Sequence, residues 1–228
     1  MAGQGMGEYC VDIVMCIDGT GSMSPIIDEV KENAISFYQR FADAMEENDK
    51  EVEQLRIKVI VFRDFGADKN AMTETEFFTL PDQTDDFRAF VNSIEADGGG
   101  DAPENALEAI ALALKSDWTT AGAKRRHAIL VFSDAPALPL REREACENYP
   151  AGMPENLAEL SSWWEGTTQT FSGKYQPKAG RLVAFVPNAE PWTDMQAWNR
   201  YWPAFSPAGT GLSDVDIQSA IDLMVGSF

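Results

Sequence analysis

The sequence predicts a three-layer, Rossmann-like α/β fold: a mostly parallel central sheet with one antiparallel edge strand and helices on both faces. Three observations carry this expectation. Short apolar runs alternate with stretches of helical spacing, which calls for right-handed crossovers and a sheet covered on both sides. One connection, between the second and third runs, is too short for a crossover and pairs its strands antiparallel. The 228 residues are 44% apolar and include six Trp, thirteen Phe and five Tyr, enough for a core that a disordered acidic chain could not build.

The first run, residues 11–17 (VDIVMCI), reads as a buried strand interrupted only by Asp12, and it enters the loop Asp18-Gly19-Thr20-Gly21-Ser22. A helix follows. Ser24 stands as its N-cap and Pro25 at its first position, while Asp28 and Glu29 suit the positive end of the dipole. Ile27, Val30, Ala34, Phe37, Phe41 and Met45 form one sheet-facing stripe, and fraying is expected near Asn48 and Asp49. The acidic run of residues 46–53 reads as a solvated helix end. Residues 55–62 (LRIKVIVF) make the second strand, and residues 76–80 a short third strand after a turn around residues 66–70. A helix over 85–94 leads to the loop GGGDAPE, residues 98–104, which feeds a helix whose Leu107, Ile110 and Leu114 share a face. Residues 127–132 (HAILVF) make the fourth strand, ending at Ser133-Asp134-Ala135-Pro136. Residues 181–186 make the fifth, and an amphipathic helix over 215–225 closes the pattern.

No Pro/Gly/Ser-rich linker divides the chain, so residues 11–228 are expected to form one domain after an N-terminal extension at 1–10. Eighteen Lys and Arg stand against 37 Asp and Glu, a net charge of −19. A field that negative repels phosphate backbones and acidic lipid surfaces and attracts cations, so neither nucleic acid nor membrane is an expected partner. Three cysteines are an odd number, and Cys10 and Cys16 lie at or in an apolar run, which argues against structural disulfides. The first Lys or Arg is Lys31, so the start lacks the positive region of a signal peptide, and no apolar stretch reaches the ~20 residues of a membrane span. A cytoplasmic location is the expectation.

Ligands of open α/β sheets sit beyond the carboxyl ends of the strands. Asp18 and Asp134 end strands and Asp101 opens a helix, so all three are expected at that edge. Asp18, Thr20 and Ser22 place one carboxylate and two hydroxyls at alternate positions of a glycine loop, free to turn toward one point. Oxygen-only ligation suits a hard cation such as Mg²⁺, which keeps several waters and needs only one or two carboxylates. Neutral hydroxyl ligands leave that cation with residual charge, so an open position can capture a carboxylate from another molecule.

On these residues the chain resembles the von Willebrand factor type A (vWA) domain, whose metal-ion-dependent adhesion site is written Asp-x-Ser/Thr-x-Ser and is matched by Asp18, Thr20 and Ser22. Asp134, in LVFSDAP, matches the family's strand-terminal Asp. GGGDAPE puts Asp101 where the family usually has Thr, a variant that resembles bacterial intracellular members associated with tellurium resistance and with alpha-kinase domains. The resemblance implies a protein-binding module rather than an enzyme. It implies Mg²⁺, with Mn²⁺ or Ca²⁺ as substitutes, held by Asp18, Thr20, Ser22, Asp101 and Asp134 and bridging to an acidic residue of a protein partner. Partner classes include an AAA ATPase, a kinase or a phosphatase of a stress or conflict system.

Other readings stand beside this one. Cys16-Ile17-Asp18-Gly19-Thr20 matches a haloacid dehalogenase-type phosphatase except at the nucleophilic Asp, which leaves a metal-dependent phosphatase-like hydrolase using Asp18 and Asp134 as the alternative. The third glycine of a dinucleotide loop is missing, and no P-loop occurs. Asp18, Asp101 and Asp134 could each be a cap or turn residue. Arg63 and Asp64 read as a local ion pair, or as groups that orient a ligand. His127, the only histidine, falls at the opposite edge. Five of the six Trp lie between residues 163 and 202, as core or as a contact surface.

Overall fold

A computed structural model describes residues 9–100, 102–168, 171–206 and 217–228. Among these residues the sheet has seven strands in the order β3-β2-β1-β5-β6-β7, with β4 also on β2. β1 (Tyr9–Asp18) lies at the centre, buried at every position, with β2 (Val52–Phe62) on one side and β5 (Lys124–Phe132) on the other, both parallel to it. β6 (Gly180–Pro187) and β7 (Tyr201–Ser206) extend the sheet, again parallel. β3 (Met72–Glu74) and β4 (Phe78–Leu80) run antiparallel along β2. Among the described residues no helix is long and apolar enough to cross a membrane.

The two-residue alternation of the strands sorts the core into two layers. Val11, Ile13, Met15 and Ile17 of β1, with Leu130 and Phe132 of β5, face α1 (Ile27–Glu47), α2 (Thr84–Asn92) and α5 (Ile217–Gly226). Val14 and Cys16, with Ile129 and Val131, face α3 (Ala106–Lys115) and α4 (Leu157–Glu165). Trp118, Trp163, Trp164, Trp192 and Trp198 are all buried, so the aromatic-rich segment is mainly core. Cys10, Cys16 and Cys146 are free thiols.

Three local expectations need correction, and the span of a fourth element is described only in part. The third strand is two short ones: between them Thr75 Oγ1 accepts the Val59 N–H at 3.0 Å and the Thr75 N–H donates back to the Val59 carbonyl, so a side chain replaces one rung of the ladder. β7 lies beyond the five strands expected, and it contains Pro203. At the sheet edge, with only β6 as neighbour, its missing N–H costs no pairing. α1 begins at Ile27 after a 3₁₀ turn over Gly21–Met23, and Ser24 does not cap it; its hydroxyl donates to the Ala96 carbonyl. The terminal helix starts at Ile217 in the described residues, and positions 215–216 of its expected span lie outside them.

α1 ends on hydrogen bonds from Asp49 N–H to the Glu46 carbonyl and from Lys50 N–H to the Met45 carbonyl, with Asp49 at φ +53°. This is a Schellman ending with an acidic residue at the position that favours glycine. Asp49→Gly removes both the left-handed strain and a negative charge at the negative end of the helix dipole. It is expected to raise stability by about 0.5–1 kcal/mol, against glycine's own entropic cost, as read from the urea midpoint.

At the amino-terminal edge of the sheet the charge that interrupts β1 finds its partner. Asp12 is fully buried and accepts from Arg56 Nε at 2.8 Å, Arg56 Nη2 at 2.6 Å and the Thr119 N–H at 2.6 Å. His127 lies in the same region, stacked on Trp118 with ring centroids 4.8 Å apart. Its Nδ1 accepts the Gln176 N–H, which leaves Nε2 to donate to the Thr119 carbonyl, and burial depresses its pKa to about 4. It is a neutral core histidine.

Candidate metal centre

Asp18 is the last residue of β1, and the turn that follows is forced by space. A Cβ on Gly19 would fall 2.7 Å from Val61 Cγ1 and 3.1 Å from the Arg63 guanidinium, so a larger residue would have to displace a neighbour. Thr20 then donates to Asp18 Oδ1 twice, from its N–H at 2.9 Å and its hydroxyl at 2.7 Å. The 3₁₀ turn carries Ser22 round until its Oγ lies 3.0 Å from Thr20 Oγ1 and donates to Asp134 Oδ1 at 2.9 Å. Four of the expected residues, Asp18, Thr20, Ser22 and Asp134, thus form one connected set of oxygens across the ends of β1 and β5. Asp101 lies outside the described residues.

Neighbouring loops hold this set in place. Arg63 does not pair with Asp64; its Nε donates to the carbonyls of Gly19 and Asp97, both at 2.9 Å, and its Nη2 to that of Glu95 at 2.8 Å. It ties the Asp18 turn to the segment leading into the glycine loop, where the Gly21 N–H donates to the Gly98 carbonyl. Asp64 accepts both arms of Arg143 instead, at 2.9 and 3.2 Å. Gly98 and Gly99 have φ +68° and +72°, and Asp68 Oδ2 accepts the Gly99 N–H at 2.8 Å.

Two side chains escaped the sequence reading. Ser133, fully buried one residue before Asp134, donates to Asp18 Oδ2 at 2.6 Å and so fixes the carboxylate's other oxygen. Only its place beside Asp134 in LVFSDAP could have signalled it. Glu104, the last residue of GGGDAPE, is 3% exposed and its Oε2 has no hydrogen-bond partner. Its backbone is pinned to the loop after β5: the Glu104 N–H donates to the Pro136 carbonyl and its own carbonyl accepts the Leu138 N–H.

The electrostatics of the pocket disfavour its own negative charges. Burial, and to a lesser degree the charge on Asp134, push the Asp18 carboxyl up to about 6 against the three donors that favour its ionised form. Glu104 is pushed up to about 8, first by burial and then by the carboxylates of Asp18, Asp64, Asp68 and Asp134. A cation relieves both costs. The donor set suits a hard one: two carboxylates and two hydroxyls, with no nitrogen or sulfur among them.

A family profile described as von Willebrand factor A domain matches residues 12–148, more than half of the chain. The chain belongs to the vWA domain family. Alpha-protein kinase vwkA of Dictyostelium discoideum is 26% identical to this vWA domain over 148 residues, which are 65% of this chain and 22% of that protein. Among solved structures, the pilus adhesin SpaC of Lactobacillus rhamnosus GG superposes with a TM-score of 0.56 at 10% identity, over 97% of this chain and 31% of that one. The von Willebrand factor type A structure from Catenulispora acidiphila gives 0.55 at 12% identity, over 96% and 43%. At such identities the two structures attest the fold. The chain spans about a fifth of the curated relative and less than half of either solved chain.

Proposed function

We propose that this vWA domain is a metal-dependent protein-binding module. Asp18, Thr20, Ser22, Asp101 and Asp134 hold Mg²⁺, with Mn²⁺ or Ca²⁺ as substitutes, and leave one position for a carboxylate of a protein partner. The observation that carries the reading is the hydrogen-bonded run Asp18–Thr20–Ser22–Asp134, which joins residues more than a hundred positions apart at the carboxyl edge of the sheet. When bound, the ion supplies the positive charge that draws the partner's acid. Asp18 anchors it from the buried side, held rigid by Thr20 and Ser133. Ser22 is exposed, on the side from which a partner arrives. A kinase, a phosphatase or an AAA ATPase working in the same cytoplasmic system is the partner class proposed.

The hydrolase alternative has weaker support. Cys16, at the place where such a phosphatase keeps its nucleophilic carboxylate, is fully buried against α3, donates to the Ala109 carbonyl, and has its thiol pushed well above the ordinary value by burial. Calorimetry with Mg²⁺, capture of native partners with and without chelator, and a phosphate-release assay separate the two. Ser22→Ala is expected to weaken Mg²⁺ about 10-fold and to abolish Mg²⁺-dependent capture. Metal-dependent phosphate release that disappears in Asp18→Ala would establish the hydrolase instead.

A further inference from the structure

Glu104 stands apart from the hydrogen-bonded oxygens, yet its position is as tightly defined as theirs. Its backbone is bonded on both sides to residues 136 and 138, two and four positions beyond Asp134. Its carboxylate and the Thr20 side chain flank the same stretch of loop: a Cβ on Gly99 would lie 2.8 Å from Thr20 Cβ and 3.2 Å from Glu104 Oε1. Four acids, Asp18, Asp64, Asp68 and Asp134, act on it electrostatically. Each of them already holds hydrogen-bond donors: Thr20 and Ser133 on Asp18, Arg143 and the Gly66 N–H on Asp64, the Gly99 N–H on Asp68, and Ser22 on Asp134. Of the carboxylate oxygens of these five acids, Glu104 Oε2 is the one that is buried with no hydrogen-bond partner among the described residues. A buried acceptor with nothing to accept is costly in a folded protein, and its usual explanation is a ligand or an ordered water.

We propose that Glu104 is the acceptor for a water bound to the site's cation, a positioning residue that holds a hydrated ion rather than a direct ligand. The assignment rests on the metal-binding reading above. In that reading the direct ligands come from the connected set of Asp18, Thr20, Ser22 and Asp134, to which no hydrogen bond ties Glu104 Oε2. Mg²⁺ sheds its waters reluctantly and is normally held with several of them, so a protein that selects it must bond to those waters as well as to the ion. Glu104 gives this domain such a bond.

The test compares wild type, Glu104→Gln and the distant surface control Glu47→Gln by calorimetry with Mg²⁺ and with Ca²⁺ alone. Glutamine keeps the shape, so the cation-free variant is expected to melt at or above the wild-type temperature. Glu104→Gln is expected to weaken Mg²⁺ by about 10-fold or more and Ca²⁺ by less, because Ca²⁺ gives up water readily. Glu47→Gln leaves both affinities within a factor of about two. Unchanged Mg²⁺ affinity in Glu104→Gln, or an equal loss for both ions, overturns the role of Glu104 while the metal site stands. Failure of the wild type to bind either ion overturns both readings.

Discussion

Asp18→Asn is expected to stabilise the cation-free protein by about 2–3 kcal/mol at pH 8 and, at the same time, to abolish its response to Mg²⁺. Both effects follow from burial. The Asp18 carboxyl ionises near 3.8 in the unfolded chain and at about 6 in the fold. The folded state therefore holds an extra proton between these values. The stabilisation from that proton is complete below pH 3.8 and lost as the pH rises through 6; above that the fold carries an uncompensated buried charge. Asparagine carries none and fits the same bonds. Its oxygen accepts both Thr20 donors, while its amide faces Ser133 Oγ, whose own proton can turn to the Ala135 carbonyl 3.4 Å away. In chelator, the difference in melting temperature between variant and wild type is expected to grow from pH 4 to pH 7 and then level off. With Mg²⁺ at about a hundred times its dissociation constant the wild type gains about 2.7 kcal/mol by mass action, and the variant nothing. A variant less stable than wild type in chelator, or one that Mg²⁺ still stabilises, would show that Asp18 is a structural turn residue.

The same division between local pattern and loop placement explains how much could be read beforehand. β1, β2, β5 and β6 were legible because a buried parallel strand is written as a short apolar run, and α1 because its stripe from Ile27 to Met45 keeps helical spacing throughout. The convergence of Asp18 and Asp134 was legible because one ends a strand and the other closely follows one, and strand ends of one parallel sheet share an edge whatever the loops do; Thr20 and Ser22 come with Asp18 in the same loop. β7 is not written as such an apolar run: YWPAFS mixes aromatic residues with a proline and a serine, and a proline fits a strand only where one side of it has no neighbour. Ser133 and Glu104 were hidden for a related reason. A serine beside an aspartate and a glutamate after a proline carry no pattern; their roles arise from where the loop after β5 and the loop before α3 come to rest. Arg63 shows the limit most plainly. Sequence proximity suggested a bond to Asp64, whereas its guanidinium reaches three carbonyls across 44 and about 33 positions of chain.

Arg56→Met is expected to cost about 3–5 kcal/mol in stability, whereas the double replacement Asp12→Leu with Arg56→Met recovers most of that loss. The asymmetry comes from Asp12, fully buried on the central strand. Burial holds its carboxyl above the ordinary value even with Arg56 and the Thr119 N–H upon it, so the pair is poised between desolvation and attraction. Removing the arginine strands a charge in the interior and also takes away its contact over the Phe77 ring, 4.5 Å from the centroid, and its bond to the Asp117 carbonyl. Replacing both residues leaves an apolar pair with no desolvation cost. The double variant also tests whether the pair sets the alignment of β1 with β2. Asp12 lies opposite Arg56, and six residues further along the same ladder Asp18 lies opposite Phe62 at the metal edge. A slip of one residue would turn Asp18 to the other face of the sheet. The apolar alternation along both strands fixes that alignment independently, so the double variant is expected to keep wild-type Mg²⁺ affinity. Urea unfolding reads the stabilities and calorimetry the affinity. A double variant that folds stably but no longer binds Mg²⁺ would make this buried pair, at the far edge of the sheet, the determinant of the metal site's geometry.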